Sequence, residues 1–498
     1  MSEELRKALG TIIGSGYQLS ADGFEYLGSL SSDNLDDLIG KAIRTATSSL
    51  EEITIFDRTF LENVEEVGRR EREPSLHRPA SLGVTPMAKT NDADIKILEQ
   101  PPIDPQGDLQ GFVNYFRSRF RKIERIMRNR IDMRDTVSIG SVESLPLKAK
   151  VKVIGIVTGR RTSGERLFLE LEDEEASVTV MAGSETAVKG LSVLEDQVIC
   201  VEAVKYKQDL LVANDFIWPD IPMKPSNRSE VPLCAAFIAD VHVGSVHFRE
   251  DLFRKFLRWL NMEVGPNQSK LLASRVKYLV ISGDLVDGIG IYPNQMDELN
   301  ITDIHEQYSE AARLLSEIPD YVEIIVLPGN HDAVRISLPQ PPIPREYAEE
   351  LFEDRRIHLL ANPSRLKLHG VEVCLSHGKA LDEILSKVPG LDFHNPVKGM
   401  ELLLRCRHVA PTYGSSTPIA PEREDGLIIS SVPDILHMGH IHVQGIKKYK
   451  GTTLISSGGW QDQTPFQKRV DLTPTVGVAT IVDLQSHATV PLDFKEFN

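Results

Sequence analysis

The sequence predicts a multidomain chain in which a small all-α N-terminal domain and a β-barrel precede a larger C-terminal α/β domain. Three patterns in the 498 residues point there: apolar positions at helical spacing up to about residue 68, short alternating runs between about 137 and 222, and alternating strands and helices from about 231 onward.

Residues 1–68 carry Leu5, Leu9, Ile12 and Ile13, then Leu35, Leu38, Ile39, Ala42 and Ile43, at spacings that line one helical face. Ser32 and Asp33 stand where a helix cap is wanted. No polar constellation accompanies them, so a protein-docking module is expected.

Between residues 69 and 110 the periodicity lapses, and Pro74, Pro79, Pro86, Pro101, Pro102 and Pro105 interrupt regular structure. A flexible linker is expected there. Residues 111–136 then form an amphipathic helix with Phe112, Tyr115, Phe116, Ile123, Ile126 and Met127 on one face. Arg117, Arg119, Arg121, Lys122, Arg125, Arg128, Arg130 and Arg134 make it basic, suiting either phosphate contact or pairing with an acidic neighbouring domain.

The runs KAKVKVIGIVTGRR, ERLFLELED, ASVTVMAG, DQVICVEAVKY and DLLVANDFIWP give residues 137–225 the pattern of a small barrel, for which an oligonucleotide/oligosaccharide-binding (OB) fold is the natural candidate. A Ser163-Gly164 turn joins its first two strands. Such a barrel serves docking as readily as strand binding. Residues 231–498 read as the α/β domain, a two-layered sandwich flanked by helices.

A net charge of −16 excludes a protein that coats nucleic acid by bulk electrostatics, since that needs a basic field to displace counterions. The four cysteines, Cys200, Cys234, Cys374 and Cys406, show no CxxC spacing, which fits a reducing compartment without zinc knuckles. The opening MSEELRKALG lacks the apolar core of a secretion signal, and no long apolar window suits a membrane. A cytoplasmic protein is expected.

Thirteen of the 14 histidines fall at or after residue 242, and their placement is more telling than their number. Asp240 and His242 follow FIA, Asp284 follows VISG, Asn330 follows VLPG, His377 follows VCLS and His440 follows LHMG. Each time a polar residue stands at or just past the carboxyl end of an apolar strand, where open α/β sheets assemble their sites. Gly283, Gly329 and Gly439 precede three of these residues and let the backbone approach closely. Mixed nitrogen and oxygen donors without thiolate suit manganese, iron, zinc, nickel or cobalt. Seven donors exceed the needs of one tetrahedral ion but serve two if a carboxylate bridges.

The ordered set Asp-x-His, Gly-Asp-x-x-Asp, Gly-Asn-His-Asp, Ser-His-Gly and Gly-His-x-His resembles the calcineurin-like metallophosphoesterases over about residues 231–460. The resemblance implies that Asp240, His242 and His442 hold one divalent ion, Asn330, His377 and His440 a second, and that Asp284 bridges them. It also implies that His331 is no ligand but the general acid facing the scissile phosphate, with Asp287 orienting it. Two cations in such a site supply a water of lowered pKa and neutralise charge developing at phosphorus.

Around the ligands, LPGNHDAVRISLPQPPIP, HNPVKGMELLLRCRHVAPTYGSSTPIAP, GHIHVQGIKKYKG and SSGGWQDQTPFQKRVDLTP resemble the small subunits of archaeal family D DNA polymerases, as does the domain order end to end. That implies a proofreading 3′–5′ exonuclease activated by manganese, partnered with a large polymerase subunit, DNA bearing a single-stranded or mismatched 3′ end, and a sliding clamp. The run after His377 reads Gly378-Lys379-Ala380-Leu381-Asp382-Glu383, where the family more often has arginine and serine before acidic residues. Arg335, Arg405, Arg407 and His408 are the candidate substrate-phosphate contacts. Two other readings stand beside this one: a non-catalytic scaffold like the accessory subunits of eukaryotic polymerases, and a small-molecule or protein phosphoesterase.

Overall fold

The structure is a computed structural model that describes residues 3–15, 17–29, 38–40, 42, 43, 46, 55–58, 60, 61, 85–105, 107–414 and 416–497. It divides into two compact units, Met1–Gly83 and Val84–Asn498. Ser32, Asp33, Leu35 and residues 69–84 of the expected linker lie outside the described residues.

In the first unit the helices Glu3–Gly14 and Ala21–Ser29 share an apolar core in which Leu5, Ile12, Leu27, Leu38, Ile39, Ala42 and Leu61 are buried. The expectation of an all-α domain needs one correction. Two short strands, β1 (Gln18–Leu19) and β2 (Ile55–Phe56), pair in parallel, because Phe56 is drawn into the core and stacks 4.8 Å from Tyr17.

The second unit corrects the expected linker as well. Residues Ile95–Glu99 form strand β3. The prolines flank this run without entering it, and the IKILE segment has strand composition, so it pairs at a sheet edge. The basic helix follows as Leu109–Arg128, with Asp108 capping it by accepting a hydrogen bond from Gly111 N at 2.7 Å.

Five strands close the barrel: β4 (Lys150–Ser163), β5 (Arg166–Glu172), β6 (Ser177–Ala182), β7 (Val198–Lys207) and β8 (Leu210–Ile217), in the order β4-β5-β6-β8-β7. Ser163 pairs with Arg166 across a two-residue loop that starts at Gly164, whose φ of +59° is a left-handed conformation.

The α/β part holds two six-stranded sheets. One contains β9 (Cys234–Ile238), β10 (Val276–Ser282), β11 (Glu323–Leu327) and β12 (Ile357–Leu359), all parallel. The other contains β13 (Ser364–Leu368), β14 (Val371–Leu375), β15 (Ile435–Met438), β16 (Gly445–Tyr449) and β17 (Thr452–Ser456), with β3 beside β13. The chain then returns to complete the first sheet with β18 (Val478–Asp483) and β19 (Thr489–Asp493).

Side chains alternate across β9. Ala235 and Phe237 face the layer between the sheets with Leu366, Val373, Leu375 and Ile455, while Cys234, Ala236 and Ile238 face an outer layer with Phe253, Phe256 and Trp460. Strands buried on both faces read as continuous apolar runs, which is why β9, β10 and β14 stand out in the sequence.

Arg119 links the three parts of this unit. It is fully buried, its Nε donates to Asp425 at 2.7 Å, and its Nη1 donates to the barrel carbonyl of Asp196 at 3.2 Å and to the carbonyl of Pro411. Arg121 pairs with Glu174 and Lys122 with Glu424, so these basic groups meet acidic neighbours.

Candidate metal centre

Five of the seven predicted ligands sit in sharp left-handed turns past the strand ends. Asp240, His242, Asp284, His440 and His442 have φ of 56°, 55°, 52°, 70° and 60°, a region costly for residues with a Cβ and concentrated at functional sites. The glycines explain how the turns close. A Cβ on Gly329 would collide with the Asp284 carboxylate, and one on Gly283 with the His377 ring.

The result is a buried cluster drawn from both sheets. Asp240, His242 and His442 bring one donor atom each to within 4.8 Å of one another, and Asp284, His377 and His440 do the same. His377 Nε2 lies 3.2 Å from Asp284 Oδ2 and 3.1 Å from Asn330 Oδ1; His442 Nε2 lies 3.5 Å from Asp240 Oδ1 and 3.2 Å from His242 Nε2. Asp284 joins the two groups, its Oδ2 being 3.8 Å from His242 Nε2 as well.

Hydrogen bonds behind the cluster decide which ring nitrogens carry protons. His242 Nδ1 faces the Asp287 carboxylate at 2.9 Å, and His377 Nδ1 faces the Ser282 carbonyl at 3.0 Å. Both partners are acceptors, so each Nδ1 donates and each Nε2 presents a lone pair inward. Lone pairs and carboxylate oxygens converging on one spot are what a divalent cation satisfies, and the donor set therefore fits metal ions.

The demand of this cluster for positive charge shows at His377: burial lowers its pKa, yet Asp284 and Asp240 beside it raise it to about 9. Burial pushes the Asp240 carboxyl up to about 7, against the pull of His377 and His242. Burial acts on Asp284 in the same direction, yet His377, His331 and His242 around it hold it well below the ordinary carboxylate value. Burial lowers His442 and His440.

His331 retains more solvent access than the inner rings: its side chain keeps 17% exposure against 3% for His242 and 1% for His377. Its backbone N–H donates to Asp284 Oδ1 at 2.8 Å, and its ring packs edge-on against His242 with centroids 4.7 Å apart. The expected partnership with Asp287 is corrected in kind. Nδ1 of His331 donates to the Asp287 backbone carbonyl at 2.8 Å, while the carboxylate is 3.9 Å away and belongs to His242. Gln295 and Gln461 donate to that same carboxylate at 3.0 and 3.1 Å, which completes its hydrogen bonding.

The proposed phosphate contacts do not gather at the cluster. His408 is fully buried with Nε2 2.8 Å from Asp425, and Arg407 is buried with its guanidinium donating to the carbonyls of Ile429 and Ser430, both at 2.8 Å. Groups so enclosed cannot meet a substrate phosphate. Arg405 lies over the Trp218 ring at 4.4 Å, beside the barrel, and Arg335 donates to the Pro339 carbonyl and pairs with Glu422.

Sequence reasoning misses three residues here. Asp332 accepts from Gly329 N at 2.8 Å and Tyr308 Oη at 3.1 Å and so shapes the Asn330–His331 turn. Gln467 Nε2 lies 3.2 Å from His442 Nδ1, and Asp382 Oδ2 lies 3.0 Å from His440 Nε2. Asp332 is the last residue of the Gly-Asn-His-Asp motif, which is its only signal.

Residues 235–446 match the family of B subunits of DNA polymerases alpha and epsilon. The chain is 39% identical over 392 residues to the DNA polymerase II small subunit of Pyrococcus furiosus, covering 78% of this chain and 64% of that protein. It is 37% identical over 452 residues to the Pyrococcus abyssi protein of the same name, covering 86% and 73%, and 42% identical over 372 residues to that of Archaeoglobus fulgidus, covering 75% of each. The chain thus spans just under two thirds of the Pyrococcus furiosus relative. Identity at this level over most of the chain, joined to a strand-end cluster of seven predicted ligands, shows that the chain belongs to the family of archaeal DNA polymerase II small subunits.

Proposed function

We propose that the chain is a two-metal phosphodiesterase, a proofreading 3′–5′ exonuclease that also serves as accessory subunit to a separate large polymerase subunit on DNA. The observation that carries this reading is the complete donor set, Asp240, His242, Asp284, Asn330, His377, His440 and His442, with the partly exposed His331 at its rim. On this reading the two sheets form a metallophosphoesterase sandwich over residues 231–498, the barrel of residues 137–225 is an OB fold, and residues 1–68 are a docking domain.

Asp240, His242 and His442 would hold one ion, Asn330, His377 and His440 the other, with Asp284 shared and manganese the expected metal. When bound, such a pair lowers the pKa of water and offsets negative charge on a phosphodiester. The chain's own residues do the rest. His331, with Nδ1 tied to the Asp287 carbonyl, has only Nε2 free to face the leaving oxygen. Burial lowers its pKa, while Asp284 and Asp287 oppose that effect. An anionic phosphodiester beside Nε2 acts in the same sense as those carboxylates and favours the protonated form able to donate. Asp287 holds His242, and the glycine turns keep the carboxylates from being displaced.

The test is to incubate the chain with manganese and DNA carrying a 3′ mismatch, alone and with its large subunit. Shortening from the 3′ end is expected for the wild type and not for His331→Ala. Equal degradation by both would remove His331 from its role. Hydrolysis of cyclic nucleotides or phosphopeptides with none of DNA would overturn the substrate.

A further inference from the structure

We propose that Asp382 is the positioning carboxylate for the second metal ion, fixing the ring of His440 through Nε2 so that Nδ1 is left for the cation. The inference rests on the two-metal reading above and concerns residues outside its donor set.

Four observations carry it. His440 is anchored by its backbone, whose N–H donates to the Asp240 carboxylate at 3.1 and 3.0 Å, but that bond leaves the ring free to turn about χ1 and χ2. Asp382 Oδ2 lies 3.0 Å from His440 Nε2, which selects one ring orientation. The same oxygen takes the Lys379 ammonium at 2.6 Å, so it is an ionised acceptor and the histidine is the donor. Asp382 itself is absent from the donor groups that converge on the cluster, and His440 belongs to the one containing Asp284 and His377.

The arrangement parallels the other half of the site with opposite ring chemistry. Asp287 takes the Nδ1 proton of His242 and frees Nε2, whereas Asp382 takes the Nε2 proton of His440 and frees Nδ1. Carboxylates behind ligating histidines typically contribute about 10–100-fold to metal affinity. Asp287 is buried at 1% exposure while Asp382 keeps 27%, so the two halves of the site are supported from different depths. Asp382 lies in the first turn of the Leu381–Lys387 helix, and Lys379 lies just before it.

The experiment measures manganese binding to the full chain by calorimetry and by electron paramagnetic resonance, with Asp382→Asn, Asp382→Glu and Lys379→Met beside the wild type. The wild type should bind two ions and show the spectrum of a coupled pair. Asp382→Asn should bind the first ion normally and the second about 10–100-fold more weakly, with a spectrum of isolated manganese at limiting metal. Asp382→Glu should recover part of the coupling, and Lys379→Met should weaken the second ion measurably but by less than Asp382→Asn. Unchanged thermal unfolding of the metal-free Asp382→Asn protein would separate ligand positioning from folding. Two ions bound by wild type and by Asp382→Asn with equal affinity would overturn the inference alone. Fewer than two ions on the wild type would overturn the two-metal reading beneath it. Should Asp382→Asn not fold, Lys379→Met decides, and an unchanged second affinity in it together with an uncoupled Asp382→Glu spectrum would overturn the positioning role of Asp382.

Discussion

His331 takes its orientation from the backbone carbonyl of Asp287, 2.8 Å from Nδ1, and not from that residue's carboxylate. Any residue at position 287 supplies this carbonyl as long as the loop holds. The side chain is then free to serve His242, and substitutions at the two positions should have different signatures.

Asp287→Asn should leave His331 in place but weaken manganese binding by roughly 10–100-fold, because the amide cannot replace the charge behind His242 Nδ1. Calorimetry on the metal-free protein measures this. A loss of turnover at saturating manganese with affinity unchanged would contradict the assignment.

His331→Ala should show the opposite pattern. Metal content stays at the wild-type value while kcat for 3′-end hydrolysis falls by about 10²–10⁴, the usual contribution of a positioned acid. Elemental analysis beside single-turnover kinetics separates the two effects.

Arg119→Met should destabilise the larger unit by about 3–5 kcal/mol, because it takes the guanidinium from a buried carboxylate and leaves it the His408 ring and the Leu427 N–H. Burial pushes Asp425 up, yet His408 and Arg119 hold it well below the ordinary range, so the pair is ionised in the fold. The thermal transition of the Arg119→Met protein should fall by several degrees, and adding Asp425→Asn should recover part of the loss. A transition at the wild-type temperature would show that the buried pair is not a clamp.

Acid sensitivity should trace partly to His437. Its two nitrogens sit 2.7 Å from the hydroxyls of Ser282 and Ser457, and burial pushes its pKa down to about 3 from an ordinary 6.5. The folded value is the depressed one, so the unfolded chain takes the proton first. The stabilising contribution is complete above about pH 6.5 and drains away as pH falls toward 3, with roughly 2–3 kcal/mol gone by about pH 4.5. Urea unfolding at pH 7 and pH 4.5 should show His437→Gln losing less between the two than the wild type. Equal losses would refute this origin.

The donor cluster is legible in the sequence because strands buried on both faces announce themselves as apolar runs, and the polar residue that ends each run is visible by contrast. Asp240, Asp284 and His377 all stand in such places. What fails to show is whatever depends on contact between distant segments. Asp382 lies 58 residues before His440, on the first turn of a helix, and resembles any solvated acid. Arg407 and His408 look like phosphate contacts because their burial under the segment around Asp425 and Ile429 leaves no periodic trace. The role of Asp287 is misplaced because sequence names a carboxylate but cannot show that a main-chain carbonyl has taken its task.

β3 has a bearing on where the molecule can be cut. It pairs along β13 from Glu99 with Arg365 to Ile95 with Leu368, and the Arg365 guanidinium meets Glu99 at 2.7 Å. A chain trimmed to begin at Leu109 would keep every ligand and the whole barrel, yet it would bare the outer border of β13. Unpaired amides there would recruit a strand from a neighbouring molecule. Self-association of such a fragment would be decided in a stretch of sequence that contributes nothing to the chemistry, which makes the proline-rich approach to the basic helix a guard on solubility.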